Sequence, residues 1–275
     1  MLASLSSKKP SPEQYPDWLR VNHRIDLRVA QNRYENQTTF MKSQFEGSSF
    51  WLGLADEIPN YEAEYRRDSG YDLLLGGFPA LHVKPWTSFL EKTYRINVLN
   101  NRVDWPNPPG GDSWCLPDRL DCGITDVLRT CFTVKYLDGV EFIAEKIREQ
   151  GSSAGVTCNI DRVARDEGYY AFHILVPYRF RLNDIDWLTH EVATSVELQI
   201  TTQLQDAIRN MLHKYYESRR LEAPREQQLW KWDYRTVEFG TNYLGHILHY
   251  IEAMIVDLRD KQRSETDGSR SGPVA

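Results

Sequence analysis

The sequence predicts a sheet protein with flanking helices, of the α/β or α+β class, and three observations carry that prediction. Apolar residues recur at three- and four-residue steps in three segments. They alternate at every second residue in two others. The two kinds of segment are interleaved along the chain, so helices must cover a sheet.

With 275 residues, 41% hydrophobic and 26% charged, the chain fits one large domain, or a domain with an accessory helical region. Residues 1–16, MLASLSSKKPSPEQYP, are rich in Ser, Pro and Lys and are expected to fray, as is the polar tail 262–275. The Pro/Gly-rich passage from Trp105 to Trp114 reads as a loop, because patterned segments resume directly after it. Leu128 to Tyr136 (LRTCFTVKY) is rich in strand-forming residues. Val140, Ile143, Ala144 and Ile147 mark a short amphipathic helix. In GYYAFHILV, Tyr170, Phe172, Ile174 and Val176 face one way and Tyr169, Ala171 and His173 the other. In SVELQIT the split is between Val196, Leu198 and Ile200 and the polar set Glu197, Gln199 and Thr201. A helix from Thr202 to Glu217 places Leu204, Ala207, Ile208, Met211, Leu212 and Tyr215 in one stripe. A last helix does the same with Leu244, Ile247, Ile251, Met254, Ile255 and Leu258.

Several classes of protein are set aside by composition. No apolar run approaches the ~20 residues that span a bilayer, and the N-terminus lacks the apolar centre of a signal peptide, so a cytoplasmic protein without a membrane partner is expected. A net charge of −6 argues against non-specific coating of nucleic acid, which needs a broad basic surface. Cys115, Cys122, Cys131 and Cys158 form no CxxC pair and have no His at zinc-ligand spacing, and are read as reduced thiols.

The chemistry gathers in a few positions. In HVKPWTSFLEK, Pro85 suits the first turn of a helix, which puts Ser88 and Lys92 a turn apart on one face with Lys84 just ahead. Lysines alone would be an ordinary solvated face. Two carboxylates, Asp126 and Glu197, belong to separate sheet segments and could converge on a divalent metal. Glu197 is the stronger candidate, since an acid in the middle of a half-buried strand is costly unless paired. Asp126 reads by itself as a turn residue or strand cap.

Together these segments resemble the synthetase domain of RelA/SpoT-homologue enzymes, whose basic RxKxxxSxxxK-type element, DxxxxR-like strand opening, GYxxxH strand and ExQI strand followed by a helix appear here as HVKPWTSFLEK, DVLRT, GYYAFH and ELQITTQLQDAI, in that order. The resemblance covers roughly Leu81 to Glu217. It implies an α+β fold, a mixed β-sheet flanked by helices in a nucleotidyltransferase-like arrangement. The synthetase core would be 81–217, preceded by a helical extension (17–80) and followed by C-terminal helices (218–261). It further implies an ATP-dependent pyrophosphokinase that moves the β,γ-pyrophosphate of ATP to the 3′-hydroxyl of an acceptor. Lys84, Ser88, Lys92, His82 and Arg129 would bind ATP. Asp126 and Glu197 would be catalytic and hold Mg²⁺ (or Mn²⁺), with Tyr169, His173 and Gln199 on the acceptor.

The departures from the pattern bear on the acceptor: His82 stands at the usual first Arg, Arg129 sits closer to its Asp, Ala171 replaces a Ser and Thr201 an Arg. Two acceptors remain open, a free nucleotide (GDP, GTP or an adenine nucleotide) or the 3′ end of tRNA. The second would be the reaction of a toxic small synthetase with a small antitoxin protein as partner, and Arg219, Arg220 and Arg225 would then touch the tRNA. A catalytically inactive nucleotide-binding regulator is the third reading, and Lys84, Asp126, Tyr169 and Glu197 standing together count against it. The segment before Leu81 has no HD dipeptide and is too short for the hydrolase domain of the bifunctional relatives. His246 and His249 read as packing or surface residues, and Trp230 and Trp232 as anchors of the C-terminal helices.

Overall fold

The β-strands are held in one five-stranded sheet of order β1-β2-β5-β4-β3, formed by His82–Val83 (β1), Leu128–Val134 (β2), Asn159–Ala164 (β3), Tyr170–Asn183 (β4) and Thr189–Thr202 (β5). The β2–β5 pair is parallel and the other pairs antiparallel, so the sheet is mixed. The computed structural model describes residues 8–109, 113–183, 189–219 and 229–270, and for 212–219, 229 and 265–270 the backbone alone.

Alternation decides which side of the sheet is core. On β2 every second residue from Leu128 to Val134 is buried, and on β5 Val196, Leu198 and Ile200 are fully enclosed. Helices α3 (Ser49–Ser69) and α5 (Asp138–Ser153) join that core with Leu54, Ile58, Ile143 and Ile147. Helix α2 (Leu27–Glu46) starts where the Asp26 side chain accepts from the Arg28 and Val29 amides, and α3 where Ser48 accepts from Trp51. Register then does the rest on the opposite face. Arg129 lies beside Glu197, and Cys131, Gln199 and His173 form one cross-strand row over β2, β5 and β4. The α+β mixed sheet expected from the sequence is the observed architecture.

Four local expectations change. Helix α4 runs from Trp86 to Tyr94, so Pro85 is its cap residue and not part of its first turn. Residues 8–16, expected to fray, are tied down: Lys9 Nζ donates to the Val98 and Asn101 carbonyls (3.0 and 2.8 Å), and Tyr15 is buried within helix α1 (Tyr15–His23) among Trp18, Leu19 and Tyr94. A polar segment can thus be ordered by the carbonyls it caps. At the other end, the last helix, α7 (Val237–Arg270), continues through residues read as a frayed tail. Trp230 packs against Tyr243, but Trp232 is 85% exposed and anchors nothing.

Candidate active site

Asp126 sits in the turn that leads into β2, where the amide of Lys84 donates to the Val127 carbonyl (2.8 Å) and fixes the turn against the start of α4. The Tyr34 hydroxyl of α2 donates to the Lys84 carbonyl (2.7 Å) and holds the same junction from outside. The consequence is an ammonium–carboxylate triad. Lys84 Nζ and Lys92 Nζ each lie 2.7 Å from a separate oxygen of Asp126. Lys84 is 4% exposed, so its charge is nearly removed from water. Burial lowers the Lys84 pKa, while the Asp126 charge works the other way. Burial opposes ionisation of Asp126 too, yet the two ammonium groups outweigh it and hold its carboxyl at about 2. Ser88 lies half-buried on α4, one turn before Lys92, and exposed His82 faces Arg129 across β1 and β2.

The second half of the site is a hydrogen-bonded chain across β4 and β5. The Tyr169 hydroxyl is 3.0 Å from His173 Nε2, and His173 Nδ1 is 2.8 Å from Glu197 Oε1. A neutral imidazole with its proton on Nδ1 satisfies both contacts, donating to Glu197 and accepting from Tyr169. Gln199 Nε2 donates to the other oxygen, Glu197 Oε2, at 3.0 Å. Burial raises the Glu197 pKa and the neighbouring Asp126 charge adds to that, but the contacts from His173 and Gln199 prevail and keep its carboxyl below the ordinary range. At neutral pH Glu197 is therefore an anion, aimed and desolvated.

Sequence reasoning missed Arg209, which extends this chain. From helix α6 (Gln203–Arg219) its Nη1 donates to Gln199 Oε1 (3.1 Å), while Nη2 meets Asp206 and Cys131 Sγ. Arg209 thereby dictates which end of the Gln199 amide faces Glu197. The only signal for it was a basic residue on the polar side of a helix that directly follows the ExQI strand. Arg165, also missed, places its guanidinium 5.9 Å above the Tyr169 ring. Thr201, where the resembled motif carries Arg, is buried and donates to the Tyr170 carbonyl (3.1 Å).

The structure thus brings Lys84, Lys92 and Asp126 into one cluster and Tyr169, His173, Glu197 and Gln199 into another, with the charge of Asp126 felt at Glu197. Among the described residues no group of three or more His, Cys, Asp or Glu is placed to hold a metal. Two carboxylates are nonetheless the donor set that Mg²⁺ takes when substrate phosphates and water supply its other ligands. Arg219 ends α6 with only its backbone described, and Arg220 and Arg225 lie outside the described residues. His246 and His249 are packing residues, as read: His246 Nδ1 meets the Tyr170 hydroxyl (2.7 Å) and His249 stacks on the Tyr170 ring. No described helix is long and apolar enough to cross a membrane.

No family model and no curated protein matches the sequence. Among solved structures the fold is that of the small alarmone synthetases. The small alarmone synthetase 1 of Bacillus subtilis superposes with a TM-score of 0.50 at 14% identity, over 86% of this chain and 98% of that one. The protein smu.1046c of Streptococcus mutans UA159 gives 0.49 at 14% identity, over 85% and 96%. At such identities the likeness is one of fold, and the fold conclusion rests on the first of the two.

Proposed function

We propose that this chain is an ATP-dependent pyrophosphokinase that transfers the β,γ-pyrophosphate of ATP to the ribose 3′-hydroxyl of a nucleotide, with GDP, GTP or an adenine nucleotide as acceptor. The observation that carries the reading is Glu197, a buried anion held at both oxygens by His173 and Gln199 beside the Lys84–Asp126–Lys92 cluster. An acceptor hydroxyl placed against Glu197 gives up its proton to the carboxylate as the oxygen attacks the β-phosphorus. The bond from that phosphorus to the α,β-bridging oxygen breaks, and AMP leaves.

Lys84 and Lys92 suit the phosphates because a polyphosphate carries more charge than the single carboxylate they share in its absence. A divalent cation at Asp126 and Glu197 would supply further neutralisation of the transferred oxygens. Tyr169 offers its ring to the acceptor base, and the Arg165 guanidinium above it closes the other side of the stack. The relay from Tyr169 through His173 keeps the Glu197 carboxylate fixed while the base binds.

The test is product analysis with purified protein, ATP and Mg²⁺, with each acceptor supplied separately. AMP formed in step with a 3′-pyrophosphorylated nucleotide supports the reading. ADP as the only adenine product overturns it. Deacylated tRNA in the same panel separates the free-nucleotide acceptor from the tRNA 3′ end.

A further inference from the structure

The Arg165–Tyr169 pair stands at the end of a hairpin. Arg165 follows β3 and Tyr169 precedes β4, and the Arg165 amide donates to the Tyr169 carbonyl (3.0 Å). The Gly168 amide donates to the Arg165 carbonyl (2.9 Å) and closes the turn between them. Where the guanidinium sits over the Tyr169 ring therefore depends on how residues 165–168 are held. The β3–β4 ladder ends at Ala164 and Tyr170, so the sheet reaches only the base of this turn. The rest of the hold comes from α7. His246 Nε2 lies 2.9 Å from the Asp166 carbonyl, and His246 Nδ1 lies 2.7 Å from the Tyr170 hydroxyl. His249 stacks on the Tyr170 ring at 3.7 Å, with the two planes 4° apart. Gly245 and Gly168 meet backbone to backbone and leave no room for a side chain on either. Lys231, ahead of α7, pairs with the Asp166 carboxylate at 3.3 Å.

We infer that His246 is a positioning residue for the acceptor nucleotide, setting the Arg165–Tyr169 clamp from the far side of β4. The inference rests on the pyrophosphokinase reading and assigns acceptor affinity, separately from ATP affinity, to the seat of α7. One ring makes both contacts because their chemistry differs. A carbonyl only accepts, so Nε2 carries the proton, and in the neutral ring Nδ1 is left to accept from the Tyr170 hydroxyl. The imidazole thereby ties Asp166 to Tyr170, and Tyr169 lies on the short segment between them. Successive strand side chains point to opposite faces, so fixing Tyr170 against α7 aims the Tyr169 ring into the site. An apolar side chain at 246 would fill the same space and leave the turn untethered. The ATP side is independent of this seat. Lys84, Asp126 and Lys92 are held by α4 and the turn into β2, which α7 does not need to brace.

Steady-state kinetics on the full chain tests this with two polar substitutions of different reach. His246→Gln keeps an amide nitrogen near the position of Nε2, whereas His246→Asn keeps the polarity and falls short of the Asp166 carbonyl. We expect the acceptor KM to rise roughly tenfold in His246→Asn, the order of one base–aromatic stack, and to stay within about twofold of natural in His246→Gln. Tyr170→Phe, which keeps the ring stack and loses only the hydroxyl, should raise it about threefold. The ATP KM, kcat at saturating acceptor and the melting curve should be unchanged in all three, a split that lost packing alone does not produce. Hydrogen exchange gives a readout that needs no turnover: the Arg165 and Gly168 amides should lose protection in His246→Asn while β2 keeps its own. Equal acceptor KM in the three variants overturns the inference. So does a matching rise in the ATP KM, or unchanged exchange in the turn. Absence of acceptor-dependent AMP from the natural chain is a distinct result, which defeats the pyrophosphokinase reading and the inference with it.

Discussion

Lys84 Nζ and Asp126 Oδ2 face each other at 2.7 Å, with the lysine side chain 5% and the aspartate 15% exposed. Removing one partner of a pair this deep leaves an uncompensated charge. Asp126→Asn is expected to lower stability by about 3–5 kcal/mol in urea denaturation, whereas Lys84→Met, which leaves Lys92 to neutralise Asp126, costs less. Equal stability of the two variants would contradict the geometry. Loss of activity in Asp126→Asn is informative only alongside that measurement.

The same triad sets a pH dependence. Asp126 is held at about 2, below its unfolded value near 3.9, so its contribution is fully present above pH ~4 and is lost as pH falls through about 2. The shift corresponds to about 2 kcal/mol. Stability measured from pH 5 to pH 2 should fall more steeply in the natural protein than in Asp126→Asn. Parallel curves would show that the carboxylate is not paired.

The acceptor side separates binding from chemistry. Tyr169→Ala should raise the acceptor KM by the ~1–3 kcal/mol of a base–aromatic stack, while Tyr169→Phe, which keeps the ring and loses only the His173 contact, should stay within a few-fold of the natural KM. Arg209→Met frees the Gln199 amide to turn and should lower kcat about tenfold with little change in ATP KM, a change of about 1.4 kcal/mol. Steady-state kinetics on both substrates distinguishes these outcomes. A change in ATP KM alone would place Arg209 elsewhere in the mechanism.

The seating of α7 is open to a direct test through Gly245. A methyl group there meets the backbone of Gly168, in the turn between β3 and β4 that is closed by its amide donating to the Arg165 carbonyl, so the contact cannot be relieved by moving a side chain alone. Gly245→Ala is expected to cost about 1–3 kcal/mol and to increase hydrogen exchange in α7 before the sheet. Unchanged exchange would mean that the helix sits farther out.

What the sequence made legible was whatever depends on local period. The alternation in β4 and β5 placed Glu197, Gln199 and His173 on the polar face, and cross-strand register brought them together. Asp126 was legible only as a turn residue, since its lysine partners lie 42 and 34 positions earlier and come near through the β1–β2 pairing. Arg209 was hidden because a helix's polar side looks the same whether it meets water or a strand. The stripe through Ile247, Ile251, Met254, Ile255 and Leu258 was correct as a period, but periodicity carries no sign. Polar contacts to Tyr170 and Asp138 turn that face outward.

The central claim is that Glu197, charged and held between His173 and Gln199, activates an acceptor hydroxyl toward the β-phosphorus of ATP. The most direct measurement is the rate of AMP formation from ATP with a saturating nucleotide acceptor, compared between the natural chain and Glu197→Gln, with folding checked by circular dichroism. The account predicts acceptor-dependent AMP release that falls at least ~100-fold in the variant at unchanged secondary structure. AMP release at a near-natural rate in Glu197→Gln, or no acceptor-dependent AMP from the natural chain, would contradict it.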